Sequence, residues 1–172
     1  DGAKRNPNGE VFMKNRETDE WLQQNQRSTR NFIRKWGHFV RHDEHLKPIV
    51  PPKYDVGFVI DNCNEQCLET IEPWCSTIYV DTFAEDYINR EQPNTMFDLT
   101  ERIQSDDEEF TNDIIVKFDA NLFNQSSFEV IQQLSAILDS NKLEVGEFEV
   151  DIFKIDVKNV KTYEKDLIKC TR

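Results

Sequence analysis

The sequence predicts an α/β domain, with a mainly parallel sheet and flanking helices, preceded by a basic helical segment. Short apolar runs suited to buried strands recur at 56–60, 77–80 and 114–118. Capped amphipathic segments separate these runs, and strands that alternate with helices form mainly parallel sheets. The formal charge also changes sign near residue 50, which divides the chain into two segments.

The two segments carry opposite charge. Residues 1–50 hold 10 Lys/Arg against 7 Asp/Glu, whereas residues 51–172 hold 11 against 26, so the balances are +3 and −15. The change falls at three prolines that disfavour helix on both sides: Pro48, Pro51 and Pro52. The sequence therefore predicts a basic helical segment over 1–50, which either packs on an acidic α/β domain over 51–172 or ends a preceding domain.

Capping residues set the expected limits of helices in the basic segment. Thr18 or Asp19 begins a helix that runs to about Trp36, and Gly37 ends it. A second short helix is expected over 38–46.

The acidic domain is predicted to contain further helices between its strands. Asn64 has the properties of a helix cap, and Ser126 with Glu129 has the spacing of a capping box. Residues 148–157 alternate in polarity and are expected to form one half-exposed strand. The expected helical ranges are 65–74, parts of 84–103 on either side of Pro93, and 127–139.

Composition limits the classes of function. A net charge of −12 repels phosphate backbones, so nucleic-acid binding is not expected. No stretch approaches the roughly 18 apolar residues that a transmembrane helix needs, so no membrane span is predicted. A protein partner or self-association remains compatible with this composition. The four cysteines fit no zinc spacing and are expected as reduced thiols in a cytoplasmic protein: Cys63, Cys67, Cys75 and Cys170.

Two aspartates directly follow predicted strands. Asp81 comes after the strand at 77–80, and Asp119 comes after the strand at 114–118. Open parallel sheets bind ligands beyond the carboxyl ends of their strands. Asp119 and Asn121 place two oxygen ligands two residues apart, and such a pair can hold Mg²⁺ or Mn²⁺. The alternative for this pair is an Asx turn with no ligand.

Three segments in the order of the chain resemble the first part of a family 2 glycosyltransferase domain. They are DVGFVIDNCN (55–64), IYVDTFAED (78–86) and DIIVKFDAN (113–121). The first resembles the opening strand and loop, the second a strand ending in an acidic nucleotide-binding turn, and the third the strand that leads to the Asp-x-Asp metal motif. Upstream, NQRSTRNFIRKWG (25–37) resembles the tail of such a catalytic domain.

The resemblance implies a reduced, three-layer α/β fold of the nucleotide-diphospho-sugar transferase type. Carried over to this chain, it places Asp81 against the nucleoside, with Asp61 or Glu65 as a further nucleotide contact. Asp119 would hold Mn²⁺ or Mg²⁺ against the diphosphate, and Asn121 would assist. Asn121 stands where the family motif has Asp, so the implied metal site carries one charge less.

The function implied is that of a glycosyltransferase-like domain that binds a nucleoside-diphosphate sugar through a divalent cation. The alternative is a non-catalytic α/β interaction or scaffold module derived from such a fold. It arises because the segment after Asn121 is too short for the usual acceptor-side half, and the expected chain is then a fragment or a degenerate copy.

Histidines and tryptophans supply two further candidates, each with an alternative. His38, His42 and His45 have the spacing of one helix face, on which three histidines can bind Zn²⁺. The alternative is a polar stripe facing solvent or a partner, and we predict that these residues bind no metal. Three tryptophans can stack on sugars or pack in the core, and core packing is the prediction: Trp21, Trp36 and Trp74.

Overall fold

A computed structural model describes residues 18–81, 84–140 and 145–162 of the 172-residue chain. The elements in chain order are α1 (Asp19–Trp36), β1 (Val56–Asp61), α2 (Glu65–Ile71), β2 (Thr77–Val80), α3 (Glu85–Glu91), α4 (Leu99–Arg102), β3 (Ile103–Ser105), β4 (Ile114–Asp119), α5 (Gln125–Ser140), β5 (Gly146–Val150) and β6 (Phe153–Val157). Short 3₁₀ turns occupy Glu72–Trp74, Gln92–Asn94 and Ala120–Leu122. In the described part of the chain, no helix is both long and apolar enough to cross a membrane.

The described strands form one six-stranded mixed sheet in the order β3-β2-β1-β4-β6-β5. β1 lies between β2 and β4 and is parallel to both, and β3 continues the parallel part beyond β2. The general α/β class and the parallel arrangement of the three apolar runs are therefore confirmed. β3 was not predicted, because three residues are too short to show a strand period.

The prediction of a single strand over 148–157 is wrong. This segment contains most of β5 and all of β6, which pair antiparallel, and β6 is antiparallel to β4. Asp151 turns the chain with a φ of 53°, in the left-handed region that Asp tolerates better than most residues. The hairpin was missed because Asp151 and Ile152 continue the polar–apolar alternation across the turn.

Two local predictions also failed. Asn124 caps α5, since its side-chain oxygen accepts the N–H groups of Ser126 (2.8 Å) and Ser127 (3.2 Å), so Ser126 and Glu129 do not form the capping box. The expected helix over 38–46 is absent from these described residues. Instead, the Asp43 carboxylate accepts two backbone N–H groups, each at 2.8 Å, and holds a turn.

The described helices lie on one face of the sheet. Alternate strand residues on that face join side chains from all five helices in one hydrophobic cluster, exemplified by Phe58, Ile78 and Val116. The opposite face carries a smaller cluster of Val59, Tyr79 and Ile115, covered by Phe110 from the loop before β4. The described residues thus form two layers, and the expected third layer of helices is not found among them. The reason is that a loop, not a helix, connects β3 to β4.

Helix α1 is attached to the α/β domain by buried ion pairs. Thr18 caps its start, and Gly37 ends it with a φ of 76°, as predicted. The Arg34 guanidinium is fully buried and donates to Glu72 Oε2 from two nitrogens, at 2.9 and 2.6 Å, and to Glu91 at 2.9 Å. The basic helix therefore contacts the acidic domain through a charge pair that is removed from water.

Glu72 is the centre of this ion cluster. Besides Arg34, its carboxylate accepts a hydrogen bond from Arg102 (2.7 Å) and one from the Tyr87 hydroxyl (3.0 Å). Desolvation by burial would raise the pKa of Glu72, but the hydrogen bond from Arg34 and the charges of Arg102 and Arg34 outweigh it, so that pKa lies below its usual value. Glu72 is therefore ionised inside the protein.

Replacing Glu72 with Gln should destabilise the protein by about 3–5 kcal/mol, because the buried guanidinium of Arg34 loses its main counter-charge. The free energy of unfolding from urea titration checks this value. The matched control is Glu65→Gln, which removes the exposed Glu65–Arg90 pair and should cost at most about 1 kcal/mol. If the two variants lost similar amounts of unfolding free energy, burial would not be the reason that the Glu72 cluster stabilises the protein.

A side chain on the second face of the sheet lies so close to Gly57 in β1 that it leaves no room for a Cβ atom. A Cβ at this position would lie 2.4 Å from Asn112 Oδ1, which also accepts the Tyr79 hydroxyl at 2.9 Å. Gly57→Ala should therefore cost about 1–3 kcal/mol through overpacking. In an Asn112→Ala background the same change should cost clearly less, because the obstructing amide is gone. Equal costs in both backgrounds, measured by urea unfolding, would contradict this explanation.

Candidate functional site

The carboxyl edge of the parallel strands carries three aspartates. Asp61 and Asp119 are the last residues of β1 and β4, and they are paired in register across these adjacent strands. Asp81 directly follows β2, the neighbour of β1 on the other side. Parallel strands bring their carboxyl ends to the same edge, so the acidic residues of three strands meet there.

Asn62 connects two of these aspartates. Its backbone N–H donates to Asp81 Oδ2 at 2.9 Å, and its side-chain amide donates to Asp119 Oδ1 at 3.1 Å. Asn62 has a φ of 55°, in the left-handed region, and this conformation turns the chain as it leaves β1. Asp81 and Asp119 therefore lie on the same edge, one on each side of Asn62.

Sequence reasoning did not select Asn62. An Asn directly after a buried strand is compatible with a left-handed turn, and this was the available signal. Its partners lie 19 and 57 residues further along the chain, so only the sheet register identifies them.

Asp119 and Asn121 form an Asx turn, which was the alternative for this pair. The Asn121 N–H donates to Asp119 Oδ1 at 2.9 Å, and Asp119 thereby caps the short 3₁₀ turn that follows. The hydrogen bonds from the Asn121 backbone and the Asn62 amide lower the pKa of Asp119 below its usual value. The Asp119 carboxylate is thus ionised, and one of its oxygens already accepts two donors.

The oxygen donors at this edge are of the type that binds a hard cation, but they are few. Carboxylate and amide oxygens are the ligands that Mg²⁺ and Mn²⁺ prefer. Within residues 18–81, 84–140 and 145–162, however, no group of three or more His, Cys, Asp or Glu side chains is arranged to hold a metal ion. A cation held by Asp119, with Asn121 assisting, would need further oxygens from a ligand.

An open groove of about 700 Å³ adjoins Asp81. It is lined by the end of β2 and by the whole length of β3, and its wall includes Ala84 and Ile88 from the α3 side and Thr100 from α4. Asp119 and Asn121 do not line it. Asp81 therefore faces a space that can take a small organic group, while Asp119 lies across Asn62 from that space.

The three histidines are not brought together on a helix face. His38 is buried, its Nδ1 lies 2.5 Å from the carbonyl oxygen of Phe39, and its ring packs edge-on against Phe32. His42 and His45 are exposed in the turn that Asp43 holds. The predicted helical stripe is therefore wrong, because Asp43 captures the backbone N–H groups that a helix would use.

The tryptophans differ in their environments. Trp74 is buried and packs edge-on against Phe39 and Phe128, as core packing predicts. Trp36 is half-buried and contacts Phe32, whereas Trp21 is exposed on α1. None of the three lies at the carboxyl edge that carries the aspartates.

Comparisons with protein-family models, curated proteins and solved structures found no match. The function must therefore be inferred from the chain's own geometry.

Asn62 provides a test of this edge. Asn62→Gly keeps the left-handed backbone and its N–H donor to Asp81, and loses only the amide that contacts Asp119. Asn62→Ala loses the same amide and adds the cost of a left-handed alanine, about 1–2 kcal/mol. The alanine variant should therefore be less stable than the glycine variant by about 1 kcal/mol in urea unfolding. Equal stability would mean that the left-handed turn is not maintained in solution.

Proposed function

We propose that the carboxyl edge binds the diphosphate of a nucleoside-diphosphate sugar together with a divalent cation. The observation that carries the proposal is the convergence of Asp61, Asp81 and Asp119 at the ends of three adjacent parallel strands. This edge is where open α/β sheets bind ligands. The resemblance of the same strands to a family 2 glycosyltransferase domain agrees with the class of ligand.

Each polar group has a distinct role in this proposal. Asp119 holds the cation with its ionised carboxylate, and the Asn121 side-chain oxygen assists. Asp81 faces the groove and orients the nucleoside, and Asp61 contacts the nucleotide from the end of β1. When bound, the cation would offset the negative charge of the diphosphate.

The small number of protein ligands has a consequence for binding. Mg²⁺ sites commonly use one or two carboxylates and are completed by phosphate oxygens of the substrate. A chain of net charge −12 also repels a free diphosphate. Cation and diphosphate should therefore bind together, each raising the affinity for the other.

The second candidate is a non-catalytic interaction module. The observation that favours it is the set of hydrogen bonds that Asn62 and Asn121 make to Asp81 and Asp119, since these bonds satisfy the carboxylates without a ligand. In that case the aspartates at the carboxyl edge stabilise the loops that follow β1 and β4. Among the described residues, none is identified as a base that would activate an acceptor hydroxyl. The same binding experiment therefore distinguishes the two candidate functions.

Asp119→Asn should abolish the Mn²⁺-dependent binding of a nucleoside diphosphate sugar such as a UDP-sugar, because the cation loses its charged ligand. The measurement is the thermal midpoint with nucleotide, with Mn²⁺ and with both, where a ligand of the native state raises the midpoint. The wild type should respond only to the combination.

The matched control is Asp139→Asn, an identical change at an exposed position near the far end of α5. It should retain the response to Mn²⁺ and nucleotide. A wild type that shows no response to any nucleotide sugar would favour the interaction module. A response that persists in Asp119→Asn would remove Asp119 from the cation site.

A further inference from the structure

Strand β5 (Gly146–Val150) forms one border of the sheet. It pairs antiparallel with β6 along its whole length and stands last in the strand order, so no described strand lies on its other side. A border strand presents a row of backbone N–H and C=O groups that can pair with a further strand. We call this side of β5 the free edge.

The turn between β5 and β6 determines which backbone groups face the free edge. Val150 and Phe153 are register partners separated by two residues, and the residues that flank such a turn form a hydrogen-bonded pair. Hydrogen-bonded and non-hydrogen-bonded pairs alternate along an antiparallel ladder. Glu147 and Glu149, three and one residues before Val150, therefore belong to the non-hydrogen-bonded class. Their N–H and C=O groups point away from β6, so the free edge offers two donors and two acceptors.

The side chains of β5 alternate between two environments. Phe148 and Val150 are half-buried against the main hydrophobic cluster, on the face that carries the helices. Glu147 and Glu149 are exposed and belong to the second face. Residues directly opposite each other on neighbouring strands place their side chains on the same face. An added strand would therefore set one side chain beside each glutamate, and the side chain between them beside Phe148.

The charges on the second face favour a cationic partner. Glu147 is the register partner of Asp156, and Glu149 is the partner of Lys154. Like charges directly opposite each other in a sheet are destabilising. In the described part of the chain, neither glutamate takes part in an ion pair. Both residues nearest the free edge are thus acidic, and a cation beside them would offset the repulsion between Glu147 and Asp156.

An open space of about 440 Å³ lies beside these charges. Its lining includes the two glutamates, Asp156 and two lysines, Lys154 and Lys117. The Lys117 ammonium lies 4.9 Å from the centre of the Phe110 ring. The lining therefore carries three carboxylates against two ammonium groups, and the space can take long basic side chains.

We propose that the free edge binds an extended peptide segment in which basic and apolar residues alternate. The segment lies antiparallel to β5 and exchanges main-chain hydrogen bonds with Glu147 and Glu149. Lysine or arginine side chains contact these two carboxylates, and an apolar side chain contacts Phe148 on the other face. Strand addition takes affinity from the main chain and specificity from alternate side chains. The proposal does not rest on the nucleotide site, because none of its contacts involves the aspartates of the carboxyl edge.

A second copy of this chain meets the opposite condition. Two β5 strands paired antiparallel through Phe148 would place Glu147 of one copy opposite Glu149 of the other, and these like charges repel. Charged side chains on a border strand oppose such edge-to-edge association. The same glutamates that disfavour a second copy therefore favour a basic strand.

The test is a titration of the full chain with the N-acetylated peptide amide Thr-Val-Lys-Val-Lys-Thr, followed by proton–nitrogen NMR spectra and amide hydrogen exchange. The amides of Glu147 and Glu149 should shift and become protected, because they gain hydrogen-bond acceptors. Thr-Val-Val-Lys-Lys-Thr, with equal composition and no alternation, should bind about tenfold more weakly. The first peptide N-methylated at both lysines should not bind, because its donors to the edge are lost.

Exchange of charges tests the side-chain contacts. The double variant Glu147→Lys/Glu149→Lys should bind the lysine peptide at least about tenfold more weakly and should bind Thr-Val-Glu-Val-Glu-Thr instead. The matched control is Glu101→Lys/Glu129→Lys, an equal change of charge at exposed positions on α4 and α5. It should keep the preference of the wild type for the lysine peptide.

Three outcomes would overturn the proposal. Equal binding of the alternating, non-alternating and N-methylated lysine peptides would mean that charge alone attracts them. Protection of the Glu147 and Glu149 amides before any peptide is added would mean that a second copy or another segment of this chain occupies the edge. Absence of any shift at these two amides would show that the edge takes no added strand.

Discussion

Glu72 places a carboxylate in the interior of the protein, and three side chains must surround it for that carboxylate to stay ionised. Arg34 comes from α1, Arg102 from the end of α4, and Tyr87 from α3. Removing one partner from a buried ion cluster leaves an uncompensated charge, which is costly in a medium of low polarisability. The positions of α1, α3 and α4 are therefore coupled through one side chain at the end of α2.

This coupling supports the sheet. Glu72 belongs to the short turn that leads from α2 into β2, and Arg102 directly precedes β3. Arg102 also donates to the carbonyl oxygens of Glu72 and Cys75, at 3.0 and 2.6 Å. The ion cluster thus fixes the entrances of two parallel strands, and the opposite end of β2 leads to Asp81, which lines the groove.

At the carboxyl edge, the same parallel arrangement brings charges of one sign together. Asp61 and Asp119 are register partners, and carboxylates this close repel each other unless a donor or cation intervenes. Asn62 supplies donors toward Asp81 and Asp119. The proposed ligand site is therefore arranged around the loop that leaves β1 through the left-handed residue Asn62.

The sequence by itself determined the α/β class, the parallel strands, the limits of α1 and the placement of Asp81 and Asp119 at strand ends. These features depend on local periodicity and capping, which a single chain displays directly. Tertiary structure alone decided the hairpin at Asp151, the role of Asn62 and the buried pairing of Arg34 with Glu72. A turn that preserves polar alternation leaves no local signal. A charged residue likewise shows no sign of its burial until the fold brings a counter-charge from 38 residues away along the chain.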